Sequence, residues 1–85
     1  MKDYIITYDD GGFFDCRADN VRDAIIKCYE YCYNDTMDDD FHKLIAFIPI
    51  ARIDLMVALY DNFVYPYSDG MQIKNIYTVG DTLWG

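Results

Sequence analysis

A turn signal near the start of the chain constrains the fold more than any other feature. The sequence Asp-Asp-Gly-Gly at positions 9–12 separates two short segments rich in β-branched and aromatic residues, at positions 2–8 and 13–18. Glycine adopts the positive φ angles of tight turns without strain, and aspartate side chains hydrogen-bond to the turn backbone. The first part of the chain is therefore predicted to be an antiparallel β-hairpin.

A helical pattern follows the hairpin. Apolar residues recur with the spacing of one buried helix face, namely Val21, Ala24, Ile25, Cys28 and Cys32. A second flank carries three more, Ile26, Tyr29 and Tyr33. Asp19 or Asn20 can cap this helix, and Asp23 lies where a carboxylate interacts favourably with the helix dipole. A helix is predicted from this cap to about residue 33.

The second half of the chain is less regular. Residues 42–50 are predicted as a buried strand from their apolar density, although Phe41, Leu44, Ile45 and Ile48 also fit helical spacing. Residues 51–62 are predicted as a second helix, with a strand as the alternative, and residues 71–79 alternate as a strand. The resulting order, ββαβαβ, predicts one α+β domain spanning residues 1–85, with an antiparallel or mixed sheet and helices on one face.

A large negative charge is the main property of the composition. Fifteen acidic residues against seven basic ones give a net charge of −8, and only Glu30 among the acidic residues is not aspartate. Aspartate is a poor helix former because its carboxylate competes for nearby backbone N–H groups, so these charges are expected at turns, caps and sheet faces. Such a surface repels nucleic acid and anionic lipid and attracts basic proteins. A basic protein partner is favoured over nucleic acid or membrane, although solubility alone also explains net negative charge.

The cysteines and the apolar segments bear on the cellular compartment. Three irregularly spaced cysteines predict free thiols in a reducing environment rather than a disulfide framework. The first residues lack the pattern of a signal peptide, and the longest apolar stretch, residues 44–51, is far shorter than the roughly 20 residues that cross a bilayer. A cytoplasmic protein is expected.

Two groups of residues were considered as metal sites. Cys28 and Cys32 could face one ion, with Cys16 and His42 as further ligands, but the same two cysteines also fit the apolar helix face. The core interpretation is favoured, because free cysteine behaves as a small hydrophobic residue. Residues 35–40 are rich in aspartate but lack the glycine and the final glutamate of an EF-hand loop, so a solvated loop is favoured over a calcium site.

Catalytic patterns are missing from the sequence. His42 and Ser68 are the only histidine and serine, and no nucleophile elbow surrounds Ser68. Gly11 and Gly12 are not followed by the spacing of a phosphate-binding loop. A non-enzymatic protein without a cofactor or metal is therefore expected.

The candidate partner-binding surface combines carboxylates with tyrosines. If the hairpin and the helix ends share a face, their carboxylates form a band like the phosphates of a nucleic-acid strand, with tyrosines as anchors. The predicted set is Asp9, Asp10, Asp15, Asp19, Asp23, Asp35, Asp38, Asp39, Asp40, Tyr29 and Tyr33. The alternative is a solvated acidic shell with tyrosines packed against the sheet.

The Asp9-Asp10 hairpin tip, the Asp19 and Asp23 pair and the aspartates at positions 38–40 also support a resemblance. On a compact, tyrosine-rich α+β chain, they resemble the small acidic inhibitors that phages and mobile elements encode against bacterial defence, the anti-CRISPR and anti-restriction proteins. The resemblance implies a protein in the bacterial cytoplasm that occludes the guide- or target-DNA-binding surface of a CRISPR effector or another nuclease complex.

An alternative function does not depend on charge. The chain could be a small regulatory or accessory domain that pairs with itself, as a homodimer, or with another protein. The apolar surface considered for this role comprises residues 64–67 (VYPY) and Trp84.

Overall fold

The computed structural model describes residues 1–32, 40–64 and 70–85. These residues form, in chain order, β1 (Lys2–Tyr8), β2 (Phe13–Ala18), α1 (Val21–Cys32), α2 (Asp40–Ala46), α3 (Ile53–Val64), β3 (Ile73–Thr78) and β4 (Asp81–Trp84). The strands make one antiparallel sheet in the order β2-β1-β3-β4. The predicted α+β fold is confirmed.

The predicted hairpin joins β1 to β2. The Gly11 N–H donates to the Tyr8 carbonyl over 3.1 Å, and the Tyr8 N–H donates to the Gly12 carbonyl over 2.9 Å. Gly11 has a φ of +90°, which side-chain-bearing residues rarely adopt. The Asp10 Oδ1 accepts a hydrogen bond of 2.8 Å from the Gly12 N–H, so the aspartate stabilises the turn that its sequence predicted.

The beginning of α1 distinguishes between the two candidate caps. The Asn20 Oδ1 accepts a hydrogen bond of 2.9 Å from the Asp23 N–H, which satisfies a backbone donor that lacks an intrahelical partner. Asn20 is therefore the capping residue, and Asp23 lies in the first turn as predicted. The predicted apolar face is also confirmed, since Val21, Ala24, Ile25 and Cys28 are all buried.

The described helices cover one face of the sheet. Tyr4, Ile6 and Tyr8 of β1 are buried in the same core as the helices, whereas the intervening Asp3 and Ile5 are exposed. This alternation is that of a strand with one face in the core and the other in solvent. The three helices therefore lie on one face, as predicted, and none of the described elements packs on the outer face.

The predicted strand at residues 42–50 is wrong, because this segment contains a helix and a turn. Phe41 and Ile45 of α2 are fully buried and lie four residues apart, so they share one helix face. Leu44 and Phe47 are exposed, which excludes the buried strand that the apolar density suggested. Pro49 belongs to the turn after α2, where its carbonyl accepts a hydrogen bond of 2.9 Å from the Arg52 N–H. The order within the described residues is thus ββαααββ.

The remaining predictions for the second half are closer to the structure. The predicted helix at residues 51–62 corresponds to α3, whose buried face comprises Met56, Val57, Tyr60 and Val64. The turn at Gly80, with a φ of +79°, leads into β4, so that β3 and β4 form a second hairpin. No helix in the three described segments is long and apolar enough to cross a membrane.

Candidate functional sites

The hairpin tip presents two exposed carboxylates on a fixed backbone. The Asp9 N–H donates to the Gln72 carbonyl over 3.1 Å, and the Asp10 N–H donates to the Gly70 carbonyl over 2.9 Å. Asp9 and Asp10 themselves are exposed. The tip is therefore attached to the segment that precedes β3, and its two charges project from an ordered position.

A third carboxylate, Asp61 of α3, lies near the tip. Its Oδ1 accepts a hydrogen bond of 3.0 Å from the Ile73 N–H. Burial raises the pKa of Asp61, the bond from Ile73 opposes this, and the charge of Asp9 adds to the increase. The effect of Asp9 on this pKa shows that the two carboxylates repel each other. Asp9, Asp10 and Asp61 are named here the acidic pole.

Two helix ends add negative potential at the acidic pole. Tyr8, the last residue of β1, contacts Cys32 at the end of α1, and Tyr60 in the last half of α3 contacts the same residue. Both helices therefore end on the side of the molecule where the hairpin tip lies. Neither helix has a basic residue of its own in its last described turn that would compensate the negative end of its dipole.

The other predicted carboxylates lie elsewhere. Asp19 and Asp23 flank the beginning of α1, at the opposite end of β2 from the tip. β1 has seven residues, which corresponds to about 20 Å at roughly 3.3 Å per residue. Asp15 lies on the exposed outer face of the sheet, and Asp40 is an exposed residue at the beginning of α2. The described carboxylates thus do not form the single continuous band that was predicted.

Two aspartates outside the predicted set form ion pairs with basic residues of the same chain. The Arg17 Nε lies 3.2 Å from the Asp3 Oδ1 on the outer sheet face, and the Arg52 guanidinium bonds both carboxylate oxygens of Asp54. Both pairs are exposed, so each contributes little to stability.

Tyr29 is the one tyrosine of the predicted set that the structure describes, and it is not at the surface. Tyr29 is only 2% exposed, so its prediction as an interface residue is wrong. Its ring stacks on that of Phe41, and the side chain of Phe63 packs edge-on against both. The helix α2, which the sequence did not predict, covers the flank of α1 that carries Tyr29. Tyr33, Asp35, Asp38 and Asp39 lie outside the described residues.

An exposed apolar surface surrounds the connection between α2 and α3. Its members are Leu44, Phe47, Ile50 and Leu55, and the Phe47 side chain is 87% exposed. Of the apolar residues that the sequence suggested for self-association, the two that the structure describes are not fully exposed. Val64 is fully buried and Trp84 is half-buried, while residues 65–67 lie outside the described part of the chain. The four exposed residues are named here the α2–α3 apolar surface.

The two cysteines of α1 share two tyrosine hydroxyl groups. The Tyr8 Oη lies 3.2 Å from the Cys28 Sγ and 3.3 Å from the Cys32 Sγ. The Tyr60 Oη lies 3.5 Å from the Cys28 Sγ and 3.1 Å from the Cys32 Sγ, and it is also 3.2 Å from the Met71 carbonyl oxygen. Cys28 is fully buried, as the core interpretation predicted, whereas Cys32 is half-buried. These four side chains are named here the thiol cluster.

The hydrogen bonds in the thiol cluster favour one thiolate, on Cys32. The bond from the Cys28 thiol lowers the pKa of Cys32 to about 6, the hydroxyls of Tyr60 and Tyr8 act in the same direction, and burial and Asp10 oppose them. The bond to Cys32 and then burial raise the pKa of Cys28. The dipole of α1 disfavours an anion at its C-terminus by about 0.3–1 kcal/mol. A tenfold change in ionisation corresponds to about 1.36 kcal/mol, so the dipole alone reduces the ionisation of Cys32 by less than tenfold.

The two tyrosines remain neutral donors around this thiolate. Burial is the largest factor that raises the pKa of both Tyr8 and Tyr60, and the neighbouring thiols contribute further. The third cysteine, Cys16 of β2, differs in that burial raises its pKa. The cluster does not have the composition of a metal centre, and no group of three or more His, Cys, Asp or Glu side chains converges in the described segments.

The sequence could indicate only half of the thiol cluster. The spacing of Cys28 and Cys32 placed both sulfurs on one side of α1, but Tyr8 and Tyr60 come from a strand and a helix distant in sequence. No protein-family model, no curated protein and no solved structure matches this chain. Its function is therefore argued from its own residues.

Proposed function

We propose that this protein is a non-enzymatic acidic inhibitor, which binds a basic surface of a nucleic-acid-handling protein and excludes the nucleic acid. The observation that carries the proposal is the acidic pole. Two of its carboxylates, Asp9 and Asp10, are exposed on a hairpin tip whose backbone is hydrogen-bonded to residues 70 and 72. Basic channels that accept nucleic-acid phosphates are the surfaces that complement such a group in charge.

The fixed position of these charges favours binding. A preorganised group loses less conformational freedom when it enters an interface than a mobile one does. The repulsion between Asp9 and Asp61, which contributes to the raised pKa of Asp61, would be relieved by a cationic partner. The net charge of −8 would accelerate the encounter by long-range attraction and make it sensitive to salt.

The partner class follows from the same chemistry. A CRISPR effector or another bacterial nuclease complex holds nucleic acid in a positively charged channel. An acidic protein of this size could occupy the entrance to such a channel through its acidic pole. On this proposal the protein acts in the bacterial cytoplasm, and a phage or mobile-element origin accounts for its role.

The proposal is tested with two double variants of equal charge. Asp9→Asn with Asp10→Asn removes the two exposed charges of the pole, leaves Asp61 unchanged, and retains the Oδ1 acceptor at position 10 for the Gly12 N–H. Asp54→Asn with Asp81→Asn removes the same charge at exposed positions outside the pole. Each variant and the wild type are immobilised and incubated with bacterial lysate at low and at high salt, and captured proteins are identified by mass spectrometry.

The expected result is a nucleic-acid-binding protein that is captured at low salt and displaced by an oligonucleotide. The Asp9 and Asp10 variant should capture it at least about tenfold less strongly, since each close charge pair contributes about 1.5 kcal/mol or more at such interfaces. The control variant should retain capture. Equal capture by both variants, or capture that an oligonucleotide does not reduce, would contradict the proposal.

The α2–α3 apolar surface favours a second candidate function. A protein-interaction module, either a homodimer or an accessory domain, would bury Leu44, Phe47, Ile50 and Leu55. Light scattering distinguishes the two functions. A dimer that persists at high salt and dissociates when Phe47 is replaced by serine supports the second, whereas a monomer with salt-sensitive capture of a basic protein supports the first.

A further inference from the structure

The thiol cluster has a chemical asymmetry that packing alone does not require. Cys28 is fully buried, but Cys32 is half-buried at the end of α1. The Cys32 Sγ is the closer of the two sulfurs to the Tyr60 Oη, at 3.1 Å, and the Tyr8 Oη is 3.3 Å away. One cysteine is therefore partly exposed and contacted by two hydroxyl groups, and the other is buried.

This arrangement suits a nucleophilic sulfur. A thiolate, rather than a thiol, attacks electrophiles, and hydrogen-bond donors stabilise it. Each hydroxyl has one proton, and that of Tyr60 is shared between the Cys32 sulfur and the Met71 carbonyl. As the sulfur loses its negative charge in the attack, these protons can turn from the sulfur to the oxygen that leaves a hydroperoxide, where negative charge develops. The cluster thus provides a nucleophile, donors for the leaving group and a second sulfur within reach.

We propose that Cys32 is a modification site for small neutral hydroperoxides, and that Cys28 is its resolving thiol. The Cys32 sulfur attacks one peroxide oxygen, the O–O bond breaks, and the departing hydroxide or alkoxide takes a proton from solvent. The products are Cys32 sulfenic acid and water or an alcohol. The Cys28 sulfur then attacks the sulfenic sulfur, its proton leaves with the hydroxyl group as water, and a disulfide remains.

The surroundings of the cluster define the substrate class. Within the described residues, the titratable groups that act on Cys32 are Cys28 on α1, Tyr8 on β1, Tyr60 on α3 and Asp10 in the hairpin turn. None of these four is cationic, and Asp10 is acidic. Together with the net charge of −8, this environment disfavours anionic oxidants and leaves small uncharged peroxides as the matching reagents.

Closing the disulfide requires a local change of structure. Residues four apart on a helix have Cβ atoms about 5–6 Å apart, whereas a disulfide brings them to about 3.8 Å. Since Cys32 is the last residue of α1, only the final helical turn has to unwind. The oxidised form then loses the hydrogen bonds that Tyr8 and Tyr60 make to the sulfurs. Asp10 of the acidic pole lies near this site, but its charge opposes the Cys32 thiolate rather than supporting it, so the proposal stands or falls separately from the proposed function.

The proposal is tested with hydrogen peroxide and intact-mass spectrometry. In Cys28→Ser, peroxide followed by dimedone should give an adduct on Cys32, since the resolving thiol is absent. In the wild type, the same treatment should give a Cys28–Cys32 disulfide and the loss of two hydrogen atoms in mass. Cys16→Ser should behave like the wild type, and Cys32→Ser should form no disulfide.

Neutral iodoacetamide provides a second readout. At neutral pH, Cys32 should be alkylated at least about fivefold faster than Cys16. The larger thiolate fraction of Cys32 outweighs the lower intrinsic nucleophilicity of its thiolate. Tyr60→Phe and Tyr8→Phe should each slow peroxide oxidation severalfold and move the midpoint of the alkylation profile of Cys32 to higher pH. Any of three results would overturn the proposal. Cys16 could form adducts at the same rate as Cys32, Cys32 could form no adduct, or neither tyrosine variant could change the rate of oxidation.

Discussion

The ring of Tyr29 stacks on the ring of Phe41, with centroids 4.0 Å apart and ring planes inclined by 13°. This pair joins α1 to α2, and both residues are almost completely buried. The rings of Phe63 and Tyr60 on α3 approach Phe41 edge-on, at centroid distances of 5.7 and 6.5 Å. Phe41 thus contacts both of the other helices and, with the buried Ile45, attaches α2 to the core.

Replacing Phe41 by alanine should destabilise the protein by about 3–5 kcal/mol, because the substitution leaves a cavity among three aromatic rings. Phe47 provides the matched control on the same segment, since its side chain is 87% exposed and its replacement by alanine should change stability by less than about 0.5 kcal/mol. Urea unfolding measures both. Similar losses for the two variants would show that α2 does not pack through Phe41.

Replacing Asn20 by alanine should lower the free energy of unfolding by about 1 kcal/mol, because the Asp23 N–H then loses its acceptor. Aspartate at position 20 retains an acceptor oxygen and should restore most of the loss. Thermal unfolding followed by circular dichroism compares the three proteins. A variant with alanine as stable as the wild type would indicate that Asp19 takes over the cap.

Replacing Asp61 by asparagine should change how stability depends on pH. The pKa of Asp61 is raised in the fold, so between its ordinary value of 3.8 and the raised value the folded state holds more protons than the unfolded state. Wild-type stability therefore falls as the pH rises through this window. Asparagine keeps the Oδ1 acceptor for the Ile73 N–H, so the variant should match the wild type in acid and exceed it at neutral pH.

Asp54 is the control for this pH experiment, since the hydrogen bond from Arg52 lowers its pKa. Its contribution to stability is present above the ordinary value of 3.8 and is lost as the pH falls through the lowered pKa. Asp54→Asn should thus be slightly less stable than the wild type at neutral pH, opposite in sign to Asp61→Asn. Urea unfolding at acid and neutral pH gives both differences. The same sign for both variants would contradict the assignment.

The aspartates at positions 38–40 give a prediction that concerns association. Replacing all three by asparagine should slow the association with a basic nucleic-acid-binding partner and weaken its salt dependence, since charge complementarity acts mainly on the association rate. Kinetics measured at several salt concentrations with the partner captured from lysate test this. Unchanged rates would remove this segment from the binding surface and leave the acidic pole as the region to examine.

Local patterns predicted the parts of the fold that local interactions determine. The turn at residues 9–12, the first face of α1 and the helix at α3 each follow from residues within one element. The segment after residue 40 is different, because its apolar residues satisfied both helical and strand patterns. Only packing decides there, since Phe41 and Ile45 are buried between α1 and α3 while Leu44 faces solvent.

The candidate sites show the same limit. Sequence reasoning identified the carboxylates of the hairpin tip, but it could not show that Asp61 lies beside them or that Asp19 and Asp23 are at the far end of the sheet. It placed Tyr29 at the surface because the helix that covers it was not predicted. The hydroxyls of Tyr8 and Tyr60 meet the cysteines only through tertiary contacts, which no spacing along the chain encodes.

The central ladder of the sheet, between β1 and β3, joins distant parts of the chain, since Tyr4 pairs with Thr78 and Tyr8 with Ile73. During synthesis on the ribosome, the first hairpin therefore waits with one unsatisfied edge until β3 emerges. The closure of so large a loop carries a high entropic cost and is expected to limit the folding rate. Nascent chains halted before β3 should consequently be protease-sensitive, with the future interior of the molecule still in contact with water.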